Sequence, residues 1–253
     1  MANLNWEPLQ EESEALEKKS LRDEVFEYLH AKIIAGKYAP GEWLRQEDIS
    51  NQLGVSQTPV REALDQLVSA GLAERVPYRG VRVLHLAPEE IVDAYQIRLI
   101  LESTAAYLAA QQISQERLQA LYTILEKTRQ LITLEDMSAQ RQLNKKFHIS
   151  LVEAAGNTLL SKVYETASNT FPDWMLYEYM FRHPELLASS LTEEFEEHKA
   201  ILDAIAAGDS AQAVQQVIIH IRHMGKEFEN YLGIPGHLLE EKDQQLDNWL
   251  VSS

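Results

Sequence analysis

GVSQTPVREALDQLVSAGL, residues 54–72, is the stretch on which the fold turns. Gly54 supplies a sharp turn, and Val55 is placed to pack between two helices. Ser56 or Thr58 is placed to cap the second helix, and Pro59 is tolerated there because first-turn N–H groups have no intrahelical partner. Leu64 and Leu67 face inward, and Gly71 closes the helix. Gln57, Thr58 and Arg61 then lie outward on its N-terminal part, the end that a recognition helix inserts into the major groove. Arginine can bridge guanine O6 and N7, glutamine can pair with adenine, and the helix N-terminus at Ser56 favours a phosphate.

Outward from this block, the neighbouring segments agree with it. Upstream, Leu21, Val25, Tyr28, Leu29 and Ile33 recur at helical spacing, with Gly36 as the stop. Pro40-Gly41 marks a turn, and a short helix over Gln46–Leu53 follows, with Ile49 and Leu53 inward. Downstream, LAERV and VRVLH are β-prone runs separated by PYRG, which suits a hairpin with Arg79 and Gly80 at its tip. That tip either meets the phosphate backbone or minor groove or is a plain exposed turn. Helix, helix, turn, helix, hairpin is the order of a winged helix-turn-helix.

The order predicts a mainly α protein: an arm at 1–20, a DNA-binding winged helix-turn-helix at 21–86, an antiparallel all-α bundle at 87–232 and a tail at 233–253. The bundle's helices are expected near 88–111, 114–132, 137–155, 157–168, 191–207 and 209–231, opening on Pro88 with Glu89 and Glu90 beside it. Residues 171–181, FPDWMLYEYMF, resist assignment. Trp174, Tyr177 and Tyr179 there suit the core, a dimer surface or a lid. In the tail, Leu238, Leu239, Leu246, Trp249 and Leu250 are placed to dock on the bundle or on a partner.

Composition bounds what such a chain does. With 253 residues and 45% hydrophobic content, it can bury a proper core. No apolar run approaches the roughly 18 to 20 residues of a membrane span. MANLNWEPLQEESEALEKK lacks the basic and apolar regions of an export signal, so a cytoplasmic address and no membrane partner are expected. The absence of cysteine excludes disulfides and zinc–thiolate sites. The net charge of −16 opposes DNA binding, yet residues 21–86 carry only 8 of the 23 basic and 9 of the 39 acidic residues. The acid lies elsewhere, so binding with strong salt dependence is expected.

Four positions in the helical part form a pattern. Asn144 and His148 are four apart and share a helix face, while His198 and His220 each sit among inward apolar residues. An imidazole on a bundle's inner face needs a partner, and three of them can find one in a metal or in ordinary core hydrogen bonds. His30, His85, His183 and His237 need no special reading.

At this point the chain resembles a known family. Residues 21–86, with the PGEWL turn, GVSQTPVREAL and GLAERVPYRGVRV, look like the DNA-binding domain of the GntR family of bacterial regulators. Residues 88–231, with YQIRLILES, LNKKFHISLVEAAGNTLL and EHKAILDAIAAGD, look like the FCD ligand-binding domain of its FadR subfamily, in the shorter, six-helix VanR-type branch. The resemblance implies a homodimeric regulator, most simply a repressor, on a near-palindromic DNA operator. It also implies a divalent metal (zinc, nickel or manganese) on His148, His198 and His220, and a small carboxylate effector near Arg98. His223, one turn beyond His220, either reaches that effector pocket or stays peripheral. Arg98 either clamps that carboxylate or simply pairs with Glu102.

Three departures from the family pattern stand out. Gln57 and Glu47 occupy positions where members carry cations, which implies an unusual operator; Arg45 offsets part of that loss. Asn144 replaces the family's Asp, leaving a neutral and weaker oxygen donor. A regulator with a metal-free pocket therefore stays open. A three-histidine metal enzyme is disfavoured, because no general base or nucleophile motif is spaced beside the histidines.

Overall fold

The computed structural model describes residues 20–168 and 173–251, and of 247–251 the backbone alone. The N-terminal arm and the side chains of Trp249 and Leu250 lie outside the described residues. Helix α1, Leu21–Ile34, begins where Ser20 accepts from the Asp23 N–H, and buries Val25, Leu29 and Ile33 at a spacing of four; Leu21 stays exposed. Helix α2, Gln46–Leu53, ends at Gly54, whose φ of 66° is open to glycine and costly for side chains.

Helix α3, Gln57–Ser69, buries Val60, Ala63, Leu64 and Leu67. The expected side-chain cap is absent: neither Ser56, which occupies the cap position, nor Thr58 makes one. Instead Gln46 donates to the Gln57 carbonyl at 3.0 Å, which ties the start of α2 to the start of α3. Strands β1, Ala73–Val76, and β2, Gly80–Val83, pair antiparallel with Ala73 opposite Val83. Gly41, Glu42 and Leu44 add backbone bonds to Val81 and Val83, so the PGEWL turn serves as a third edge. The hairpin tip holds Tyr78, fully exposed, at a φ of 62°.

The remainder is helical: α4 Pro88–Gln112, α5 Gln115–Thr128, α6 Met137–Ala154, α7 Thr158–Ser168, α8 Asp173–Arg182, α9 Pro184–Ala206, α10 Ser210–Leu232 and α11 Gly236–Val251. Among the described residues, that puts seven α-helices within 88–232, one more than the six expected. The addition is α8, formed by the aromatic stretch that resisted assignment. Its Leu176 faces the bundle core, while Trp174, Tyr177 and Met180 face the core under the DNA-binding head. With both faces buried, α8 shows no single apolar stripe to read. Helix α9 also begins earlier than expected, at Pro184 in its first turn, and α5 ends earlier, at Thr128.

Helix α4 runs through the middle of the bundle, packed by α10, α6, α9 and α7 around Leu99, Ala106, Phe147, Ile201 and Ile221. The tail's α11 docks on α4 through buried Leu239 and Leu246, with Tyr95 donating to Asp243 at 2.8 Å. The head's core, from Val25 to Val83, continues without a break into Met137, Leu187 and Leu191 of the bundle. Head and bundle are thus one packed body along α1, α6 and α8.

Candidate functional site

On the head, α2, the start of α3 and the hairpin enclose one concave face. Arg45, Arg61, Arg79 and Gly80 line it, together with Glu47 and Asp48. Gln57, Thr58 and Ser56 are exposed at the α3 N-terminus beside it. Gly80 lies in β2 opposite Val76 rather than at the tip, which Tyr78 and Arg79 occupy. A fourth cation on this face, Arg75, was not singled out from sequence; it reaches Asp65 of α3. Alternation along β1 was the signal that could have placed it.

In the bundle, α6, α9 and α10 bring three imidazoles together. Ring nitrogens of His148, His198 and His220, all buried, lie within 4.8 Å of one another. His198 Nε2 is 3.3 Å from His220 Nε2, and the His148 and His220 rings stack at 5.3 Å. Two of the rings are oriented from behind: His148 Nδ1 meets Glu102 at 2.9 Å, and His220 Nδ1 meets Glu197 at 2.7 Å. A carboxylate on Nδ1 fixes the tautomer that leaves Nε2 as a lone-pair donor toward the cluster. His148 Nε2 and Asn144 Oδ1 are buried with no hydrogen-bond partner among the described residues.

Charge in this centre follows from burial. Desolvation and the Arg98 guanidinium push the His148 imidazole down to about 4, and desolvation with the neighbouring imidazoles holds His198 well below its ordinary value. Burial works to raise Glu102, but Arg98 and His148 outweigh it and hold the carboxyl well below the usual range. Arg98 makes the i,i+4 pair with Glu102 and lines the cavity that opens beside the histidines. His223 lines the same cavity and meets Glu197 at 2.6 Å.

That cavity carries more acid than sequence reasoning foresaw: Asp173, Glu194, Glu197 and Glu227 all line it. Burial and repulsion from Glu227 raise Glu194 to about 8, and burial raises Glu227 to about 7. Asn144 donates through Nδ2 to Glu194 at 2.6 Å and to Tyr177 at 2.8 Å. Asp173 holds Arg141 at 2.9 Å, and Arg141 faces the head: its Nη1 lies 3.3 Å from His30 Nε2 and its Nη2 3.5 Å from the Ala70 carbonyl. Lys145 donates to the same carbonyl at 3.1 Å, just past the end of α3.

A helix-turn-helix head with a basic concave face, packed on a helical domain with an internal polar cavity, defines a DNA-binding regulator of two parts. Residues 21–83 match the family described as "Bacterial regulatory proteins, gntR family", and residues 93–223, more than half of the chain, match the FCD domain. The chain belongs to the GntR family of transcriptional regulators, with an FCD domain as its C-terminal part, and not to a family of enzymes. It is 27% identical to the "Uncharacterized HTH-type transcriptional regulator YdhC" of Bacillus subtilis (strain 168), over 86% of this chain and 92% of that one. It is 29% identical to the "Probable D-xylose utilization operon transcriptional repressor" of Paenarthrobacter nicotinovorans, over 83% and 89%. The solved structure of E. coli McbR/YncC shares the fold, with a TM-score of 0.62 at 23% identity over 85% of this chain and all of that one. Among the described residues, no helix is long and apolar enough to cross a membrane.

Proposed function

We propose that this regulator is a homodimeric repressor whose grip on a near-palindromic operator is set by a small carboxylate effector, bound beside a divalent cation in the FCD domain. His148, His198 and His220 would hold the cation, with the Asn144 oxygen as a fourth donor. The observation that carries this reading is the pair of buried, unpartnered acceptors, His148 Nε2 and Asn144 Oδ1, beside two histidines oriented by carboxylates. A zinc, nickel or manganese ion there would offset local acid and offer an anionic ligand an attachment point. Without such a cation, a carboxylate entering this cavity meets the like charge of Asp173, whose carboxyl Arg141 and Lys145 hold below its ordinary value against the effect of burial.

The chain's own contacts supply a route from cavity to DNA. Asp173 lines the cavity and holds Arg141, which with Lys145 faces the end of the recognition helix. A ligand that favours one placement of these groups shifts the head by its differential affinity for the two placements.

The test is elemental analysis and calorimetric titration with Zn2+, Ni2+ and Mn2+ on protein purified without chelator or histidine tag, alongside binding to DNA upstream of its own gene. Stoichiometric metal, lost in the triple His148→Ala, His198→Ala, His220→Ala variant, and salt-dependent, sequence-selective DNA binding altered by metal are expected. Metal retained by the triple variant, or DNA binding indifferent to metal, overturns the reading.

A further inference from the structure

Asn144 presents a particular problem for a cation site. Its amide has one acceptor end and one donor end, and only the oxygen can serve as a ligand. Which end faces the histidines depends on what holds the other end. The oxygen and nitrogen of an amide are assigned by the hydrogen-bond network around them, and here that network is specific. The Nδ2 group has two hydrogens: one goes to Glu194 Oε1 at 2.6 Å, the other to Tyr177 Oη at 2.8 Å. Tyr177 in turn lies 3.4 Å from Glu194 Oε2, as donor to it. The Oδ1 end is left buried and unpartnered. A flipped amide would set its oxygen against Glu194 Oε1, the acceptor of the present bond, and give that bond up.

We infer that Glu194 is a positioning residue for the cation site: its carboxylate takes the Asn144 amide nitrogen and so turns the amide oxygen toward the histidines. The acidic side chain usual at position 144 thus has its counterpart at position 194, one turn before His198 on α9. An aspartate at 144 would need no such orientation, because its two oxygens are equivalent, and it would stand against the Glu194 carboxylate. This inference rests on the cation reading above, and the two are separated by the same titrations.

Zn2+ affinity is measured by chelator competition in the parent chain, Glu194→Gln, Glu194→Ala, Asn144→Asp and Asn144→Asp combined with Glu194→Gln. Far-ultraviolet circular dichroism and the metal-free thermal midpoint confirm that each is folded. In the parent background, both Glu194 substitutions should lower affinity by about tenfold or more, the usual range for groups that orient a ligand. In the Asn144→Asp background, Glu194→Gln should leave affinity unchanged or raise it. The visible spectrum of the Co2+-loaded protein should change on Glu194→Gln in the parent and not in the Asn144→Asp background. An equal loss in both backgrounds overturns the inference, since Glu194 then acts only as a nearby charge, and no loss in the parent overturns it too. Zn2+ binding that survives removal of the three histidines removes the cation reading and this inference with it.

Discussion

Arg61 carries much of the cationic reach on the head's concave face. It is exposed near the start of α3, flanked by Gln57 and Thr58, while Glu47 and Asp48 across the groove offer only acceptors. Arg75 on the same face is drawn to Asp65, and Arg82 behind it pairs with Glu74 and stacks on Trp43. Because Arg61 is the one cation that α3 itself carries, base discrimination should fall heavily on its guanidinium. Arg61→Ala should cost about 1–3 kcal/mol of operator affinity and relax the preference at one base pair, the worth of a good bidentate contact. Fluorescence anisotropy with the operator and single-base variants reads both. A uniform loss across all base variants would place Arg61 on phosphate instead.

Helix α6 joins the centre of the helical domain to the head. His148 joins the histidine cluster from it and Asn144 lines the cavity, while Ser138, Arg141 and Lys145 reach His30 and the Ala70 carbonyl. Because one rigid element bears both sets, Lys145→Met should reduce the factor by which Zn2+ changes DNA affinity toward unity, with Zn2+ affinity kept; Lys145→Arg should restore it. Titrations of metal and DNA in each other's presence measure that factor, and linkage requires the same value from both directions. An undiminished factor in Lys145→Met would locate the coupling elsewhere. This element also shows where sequence reading stops. The shared face of Asn144 and His148 follows from a spacing of four, and the turn and stop glycines around α3 follow from local backbone chemistry. The partners of these residues do not: Glu102 lies 46 positions from His148, Glu194 lies 50 from Asn144, and Asp173 lies 32 from Arg141. Those pairings exist only once α4, α8 and α9 have packed against α6. Helix α8 was hidden for a related reason, since a segment buried on both faces carries no polar stripe to set its period.

At the scale of the whole molecule, the head's core runs directly into the bundle's, and a buried histidine sits at the seam. His30 is fully buried, with Nδ1 2.5 Å from Ser138 Oγ and Nε2 facing the Arg141 guanidinium. Arginine can only donate, so Nε2 must stay an acceptor and the ring must stay neutral. Desolvation first, and then Arg141, push the imidazole down to about 3 from its ordinary 6.5. The sign follows from proton counting: between those two values the unfolded chain takes up a proton that folded His30 refuses, so stability is full above about pH 6.5 and declines as pH falls toward about 3. One such group contributes a slope of up to about 1.4 kcal/mol per pH unit. Urea midpoints for the parent and His30→Gln at pH 7, 6 and 5 test this. Glutamine can still donate to Ser138 and accept from Arg141 but does not titrate, so the variant should lose less stability on acidification. Parallel declines in the two proteins would show that other groups set the acid dependence, whereas a flattened profile in His30→Gln would establish that the neutral imidazole at the seam between head and helical domain carries it.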